Sequence, residues 1–136
     1  MKATRRTILA AGGALLATPR IAPGLAQTAR YPERPIEITV GFVAGGATDL
    51  DARLFGQHLE RRLGGSVVVI NRAGAGGEVA LGAVARARPD GHSLATTNMP
   101  GFLTIPIERQ AQYKLDDFVG IGNLVVDPCA VTVHAQ

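Results

Sequence analysis

The sequence predicts an α/β fold, built on an open, mostly parallel sheet with flanking helices. Short apolar runs alternate with segments of helical spacing in the order β-α-β-α-β. The 17 glycines cluster between these segments, which is typical of tight turns. The connections between strands are short and pass through helices. Consecutive strands should therefore lie parallel, because a parallel pair needs a crossover connection.

The first half of this fold is predicted between residues 36 and 71. Ile36 to Phe42 alternates apolar and polar residues, which predicts the first strand. Thr48 is predicted to cap the next helix, with Asp51 in the capping-box position. Val67 to Ile70 is an unbroken β-branched run, which predicts a strand covered on both faces. The helix between these strands should end at Gly64-Gly65 and bury Leu50, Ala52, Leu54, Phe55, Leu59 and Leu63.

The second half begins with another glycine-rich turn and a helix predicted from Val79 to Ala87. The packing face of that helix should comprise Val79, Ala80, Ala83, Val84 and Ala87. His92 to Thr97 predicts a third strand, and Thr97 to Gln112 predicts a polar, Pro-containing loop. Two further strands are predicted at Phe118 to Val126 and at Ala130 to His134. The sequence stops at Gln136 without a closing helix, which indicates part of a larger lobe.

The first 26 residues have the layout of a secretory signal. A basic start that includes Arg5-Arg6 precedes an apolar run from Thr7 to Ala17. Small residues at Gly24 and Ala26 suit cleavage before Gln27. The apolar run is shorter than the ~20 residues that a membrane-spanning helix needs. We therefore expect residues 1–26 to be a signal peptide and residues 27–136 to be periplasmic, exported by the Sec or the twin-arginine route.

Charge and composition exclude several classes of function. The formal net charge is +3, but four of the basic residues and none of the acids lie in the signal segment. The remaining chain carries about −1, so charge predicts no nucleic-acid partner. The single cysteine, Cys129, excludes an intrachain disulfide. The three histidines lack metal-binding spacing, and the sequence has neither a phosphate loop nor a Gly-x-Ser-x-Gly elbow. No metal, cofactor or catalytic residue is predicted.

The two glycine-rich turns predict a ligand site. Ligands of open α/β sheets bind beyond the carboxyl ends of the strands, and both turns lie there and lead into helices. Helix N-termini expose unpaired N–H groups and a positive dipole end, so they suit an anion without a cationic side chain. A carboxylate fits such a site, and Thr48 and Asn98 are placed to add polar contacts. The alternative is that the glycines only make turns.

Four motifs in order carry a resemblance to a known family. They are Tyr31-Pro32-x-Arg34-Pro35-Ile36, Gly45-Gly46-x-Thr48-Asp49 with Ala52-Arg53, Asn71-Arg72-x-Gly74-Ala75-Gly76-Gly77, and Pro89-Asp90-Gly91. Together they resemble the Bug (TctC-like) periplasmic receptors of tripartite tricarboxylate transporters. The resemblance covers nearly all of residues 31–133.

The resemblance implies the first lobe of a type II periplasmic-binding-protein-like fold, incomplete here because family members are longer and close a second lobe over the ligand. It implies a receptor, not an enzyme, that captures a small carboxylate and delivers it to a membrane permease with a large and a small subunit. The ligand-binding residues that it implies, together with those argued above, are Phe42, Gly45, Gly46, Thr48, Asp49, Gly76, Gly77, Thr97 and Asn98.

Two departures from the family pattern and three alternatives remain. Val43-Ala44 stands where the family usually has proline, so the first loop loses a rigid residue. Glu78 stands where Asn is common, and its carboxylate would repel an acidic ligand unless it points away. The alternatives are a truncated remnant that binds nothing, a small α/β hydrolase or isomerase with Asp49 or Asp51 as base, and a receptor that serves a membrane signalling partner.

Overall fold

Three parallel strands form a single sheet in the computed structural model, which describes residues 30–126. The strands are β1 (Ile36–Val40), β2 (Val67–Asn71) and β3 (Ser93–Thr96), in the order β2-β1-β3. Both pairings with β1 are parallel. The predicted open parallel α/β sheet is therefore confirmed. The signal peptide at residues 1–26, the strand predicted at residues 130–134 and Cys129 lie outside the described residues.

The central strand is β1, and it is more deeply buried than β2. Ile38 and Thr39, which face opposite sides of β1, are each only 1% exposed, so both faces are covered. By contrast β2 lies at the edge, and its Val68 is 43% exposed. The prediction that the second strand is covered on both faces is thus wrong. The reason is that strand order, which a strand's own residues do not encode, decides how many neighbours cover it.

Helix α1 (Ala47–Leu63) follows β1 and packs on one face of the sheet. It ends, as predicted, at Gly64, whose φ of 68° is left-handed. The helix approaches the sheet closely at Gly56, where an added Cβ would lie 3.2 Å from the Val67 side chain. This contact turns Leu50 and Leu54, predicted to be buried, out to 59% and 57% exposure. The side chains of α1 that pack toward the core are those of Asp49, Ala52, Phe55 and Leu59.

This orientation of α1 predicts very different costs for two truncations. Leu54→Ala should lower the free energy of unfolding by less than about 0.5 kcal/mol, because its side chain is largely in solvent. Ile38→Ala should lower it by about 3 kcal/mol, because it leaves a cavity in the core beneath α1. Urea unfolding of the two variants checks both values. Equal losses would contradict the packing described for α1.

Two shorter helices follow in the second half of the described chain, and the first of them packs against β1 and β3. Helix α2 (Glu78–Ala85) buries Ala80, Leu81 and Gly82. Val79 is exposed, so its predicted place in the packing face is wrong. Helix α3 (Gly101–Glu108) lies inside the segment 97–112 that was predicted to be a loop. Pro106 within α3 made a helix look unfavourable, but Ile105 is buried against Leu81 and stabilises it.

The segment from Phe118 to Val126 forms no strand, contrary to the prediction. Phe118 packs edge-on against Phe102 and Tyr113, with ring centroids 5.5 and 5.8 Å apart. Beyond Phe118 the side chains are exposed. No strand within residues 30–126 pairs with this segment. Its β-branched residues therefore have no neighbouring strand whose hydrogen bonds and side chains would stabilise an extended conformation. Among residues 30–126, no helix is long and apolar enough to cross a bilayer.

Candidate functional site

The carboxyl ends of the three strands lead into three neighbouring loops. We name them loop 1 (residues 41–46), loop 2 (residues 72–77) and loop 3 (residues 97–100). Loops 1 and 2 meet backbone to backbone, because a Cβ built on Gly41 would lie 2.6 Å from the Cα of Gly77. The ring of Phe42 lies beside Gly77 as well, 3.9 Å from where a Cβ would stand. The two glycine-rich turns identified in the sequence therefore lie side by side.

Asp49 is the polar centre of this region. It is 2% exposed, at the third position of α1. One carboxylate oxygen accepts the Gly45 N–H at 2.8 Å and the Arg53 Nε–H at 3.0 Å. The other lies 2.9 Å from a terminal nitrogen of Arg53 and accepts Asn71 Nδ2–H at 2.9 Å. A buried carboxylate with this many donors is a structural group that fixes loop 1 to α1 and β2.

These contacts also set the proton affinity of Asp49. The hydrogen bonds from Arg53, Gly45 and Asn71 hold the pKa of Asp49 well below its usual range, against the opposing effect of burial. A carboxylate with so low a pKa is a weak proton acceptor near neutral pH. This argues against the alternative in which Asp49 serves as the base of a hydrolase or isomerase.

The start of α1 is built differently from the prediction. The N-cap is Gly46, and no side chain caps it, so Thr48 and Asp51 form no capping box. Asp49 provides part of the capping instead, because its carboxylate accepts a hydrogen bond from the Gly45 N–H, one residue before the N-cap. Thr48 is thereby free to reach across to loop 3, where its hydroxyl donates to Asn98 Oδ1 at 3.4 Å. Loops 1 and 3 are joined at this point.

Backbone amides of loops 1 and 2 and of the first turn of α1 differ in whether they have an acceptor. Those of Gly45, Gly46 and Gly77 donate within their own loops or to Asp49. Those of Ala47 and Thr48, the first two residues of α1, have no acceptor among residues 30–126. Unpaired amides at a helix N-terminus carry partial positive charge and suit an anionic oxygen. Donors available to a ligand are therefore present at the start of α1.

These two residues lie at the rim of a cleft of about 860 Å³. Its floor is apolar and includes Ile38, Phe55 and Leu94. Of the nine residues predicted to bind ligand, Thr48, Thr97 and Asn98 line the cleft. The other six do not line it: Phe42, Gly45, Gly46, Gly76 and Gly77 lie in loops 1 and 2, and Asp49 lies in the first turn of α1. Within the described part of the chain, the lining holds one carboxylate, that of Asp51, and no basic side chain.

Loop 2 is held by a second buried carboxylate, that of Glu78. Glu78 is 5% exposed and accepts hydrogen bonds from Arg109 at 2.9 and 3.1 Å and from the Gln112 N–H at 2.9 Å. Arg109 also donates to the Ala75 carbonyl at 3.1 Å. The hydrogen bonds from Arg109 and Gln112 lower the pKa of Glu78. Glu78 is therefore ionised, but Arg109 neutralises it and it does not line the cleft, which answers the concern that it would repel an acidic ligand.

Four residues that matter to the site were not among its predicted residues: Gly41, Arg53, Asn71 and Arg109. Arg53 and Asn71 were named only as members of the family motifs. Arg53 stands four residues after Asp49, which is the spacing of a helical ion pair. Asn71 directly follows the apolar run of β2, a position from which a polar side chain reaches the ligand edge. The contacts of Gly41 and Arg109 join residues more than 30 positions apart, so no local sequence pattern predicts them. Nowhere in residues 30–126 do three or more His, Cys, Asp or Glu side chains gather as a metal site would require.

Comparison with known proteins identifies the relatives of this chain. The family model for the tripartite tricarboxylate transporter family receptor matches residues 52–136. Protein BugT from Bordetella pertussis is 40% identical over 133 residues, which are 95% of this chain and 40% of BugT. A UPF0065 protein from Cupriavidus necator is 36% identical over 100 residues, 71% of this chain and 31% of that protein. The chain thus spans between 31% and 40% of the length of these relatives.

Solved structures of similar proteins match a smaller part of the chain. Periplasmic binding protein BugD is 49% identical over 48% of this chain and 22% of BugD, with a TM-score of 0.46. MatC from Rhodopseudomonas palustris, solved with bound malate, is 42% identical over the same shares, also with a TM-score of 0.46. An R. palustris protein solved with adipate is 37% identical over 48% of this chain and 22% of that protein, with a TM-score of 0.47. The family assignment rests on the family model and on the curated relatives.

Proposed function

Because this chain belongs to the tripartite tricarboxylate transporter receptor family, we propose that it is part of a periplasmic receptor that binds a small carboxylate. The receptor delivers this solute to a membrane permease composed of a large and a small subunit. Residues 1–26 direct its export, through the Sec or the twin-arginine route. The carboxylate binds without covalent chemistry.

The start of α1 is the observation that carries this proposal. The unpaired amides of Ala47 and Thr48 lie at the rim of the cleft, where the helix dipole favours a negative charge. Thr48, Thr97 and Asn98 add hydroxyl and amide groups around the same rim. The buried carboxylates nearby are neutralised by arginines, so they do not oppose an anion. A carboxylate at this rim would complete the hydrogen bonding of the first helical turn.

Calorimetric titration of the full chain tests the proposal. Malate and adipate serve as probes, and adipamide, in which both carboxylates are replaced by neutral amides, is the matched control. We expect saturable binding of at least one acid and none of the diamide, because the site recognises negative charge. If the chain unfolds cooperatively but binds neither acid, the proposal is wrong. If it shows no cooperative unfolding at all, the alternative of a non-binding remnant is supported.

Thr48→Val should weaken the binding of the acid probe by about tenfold, because it removes a hydroxyl at the rim while keeping the side-chain volume. Calorimetry at one temperature and salt concentration gives the two dissociation constants. Thr104→Val on α3 is the matched control, since it makes the same chemical change away from the cleft lining. Equal affinity in Thr48→Val and the wild type would remove Thr48 from the site.

A further inference from the structure

We propose that Asn71 is a positioning residue for the ligand site: from the end of β2 it holds loop 1 in the shape that presents the start of α1 to the ligand. This inference rests on the proposed function, since it names a residue that acts on the same site without touching the ligand. Asn71 does not line the cleft. Its effect on binding would therefore pass through the groups that it contacts.

The side chain of Asn71 contacts both sides of loop 1. Its Nδ2 donates to the Phe42 carbonyl at 3.1 Å, where the loop leaves β1. The same nitrogen donates to Asp49 at 2.9 Å, and Asp49 in turn accepts the Gly45 N–H at 2.8 Å, where the loop enters α1. Its Oδ1 accepts a hydrogen bond from Arg53 at 3.1 Å. One amide thus links the beginning of the loop, the end of the loop and the helix.

The loop needs such a link because its own sequence does not fix its shape. Residues 43–46 read Val-Ala-Gly-Gly, without a proline to restrict the backbone. Gly45 has a φ of 85° and nothing within 4 Å of where its Cβ would stand, so no side chain packs it in place. A glycine with this freedom loses much conformational entropy when it is ordered. The hydrogen bonds through Asn71 and Asp49 offset that loss and fix where α1 begins.

Asn71→Leu tests the inference, because leucine has a similar size but can neither donate nor accept. We expect the dissociation constant for the acid probe to rise by about tenfold, measured well below the unfolding temperature of the variant so that every molecule is folded. We also expect the amide hydrogen of Gly45 to exchange faster with solvent. Gln57→Leu likewise replaces a side-chain amide by leucine, but at an exposed position of α1. It should alter neither the dissociation constant nor the exchange rate of the Gly45 amide.

The two readouts separate this inference from the proposed function. If the wild type binds the probe and Asn71→Leu binds it equally well, the inference is overturned and the function stands. If the wild type binds neither malate nor adipate, the proposed function fails, and the exchange of the Gly45 amide still decides whether Asn71 orders loop 1. Unchanged protection of that amide in Asn71→Leu overturns the inference in either case.

Asn71→Asp adds a readout that a general loss of stability would not produce. At neutral pH the new carboxylate would face two acceptors, the Phe42 carbonyl and Asp49, and only Arg53 among its contacts would attract it. We expect weaker probe binding at pH 7 and a partial recovery at pH 5 relative to the wild type measured in parallel, because a protonated carboxyl can donate again. A constant ratio of affinities across this pH range would contradict the donor role of Asn71.

Discussion

Gly41→Ala is expected to lower the free energy of unfolding by about 3 kcal/mol, because the added methyl group would collide with main-chain atoms. The new Cβ would stand 2.6 Å from the Cα of Gly77, well inside the contact distance of two carbon atoms. Gly77 cannot easily retreat, because its N–H is bonded to the Gly74 carbonyl and its φ is 98°. The variant therefore has to separate loops 1 and 2.

Gly101→Ala is the matched control for this effect. It adds the same methyl group to a glycine with nothing within 4 Å of the Cβ position, at the first residue of α3. Alanine also favours a helix more than glycine does, so this variant should be as stable as the wild type or slightly more stable. Urea unfolding of the two variants gives the comparison. If both have wild-type stability, loops 1 and 2 do not touch as described.

Asp49→Asn is expected to weaken binding of the acid probe by about tenfold or more. It should also reduce the dependence of the free energy of unfolding on pH. In the wild type, the hydrogen bonds to Arg53, Gly45 and Asn71 lower the pKa of Asp49 relative to the unfolded chain. The folded state then binds the proton less tightly than the unfolded state does. The stability gained is present above the ordinary value of 3.8 and is lost as the pH falls below it.

An asparagine at this position does not titrate, so the gain is missing at every pH. The denaturation midpoints of the wild type and Asp49→Asn should therefore differ most at pH 7 and converge as the pH is lowered toward 3. Urea unfolding at these two pH values measures the convergence. Asp51→Asn removes one negative charge from the same helix and controls for net charge. A difference that stays constant between pH 7 and pH 3 would show that Asp49 is not held by its donors in the folded state.

The sequence was sufficient to predict the order and type of most elements, because each carries its own signal. The β-branched run at Val67 to Ile70 and the glycine at the end of α1 depend on local properties, and both were confirmed. Burial was harder, since the sheet order β2-β1-β3 sets it and no strand encodes that order. Helix α3 was missed for a related reason: Pro106 argues against a helix, whereas the packing of Ile105 that favours it is a tertiary effect.

The candidate site was predictable to a similar degree. The general rule for open α/β sheets gave its location, and the structure places Thr48, Thr97 and Asn98 around one cleft. The role of each residue depends on hydrogen bonds between distant segments. Asp49 was identified from the family motif Gly45-Gly46-x-Thr48-Asp49, but its hydrogen bond with Asn71 joins residues 22 positions apart and became visible only in three dimensions. That these residues bind a ligand remains a prediction.

The contact between Gly41 and Gly77 has a consequence for how receptors of this kind can diverge. Because main chain meets main chain there, the spacing between the first two turns does not depend on the size of any side chain. Under the proposed function, new preferences for solutes can then arise through substitutions at residues 97–99, which line the cleft and take no part in that contact. The contact that sets the spacing of loops 1 and 2 is therefore separate from the loop 3 side chains that line the cleft.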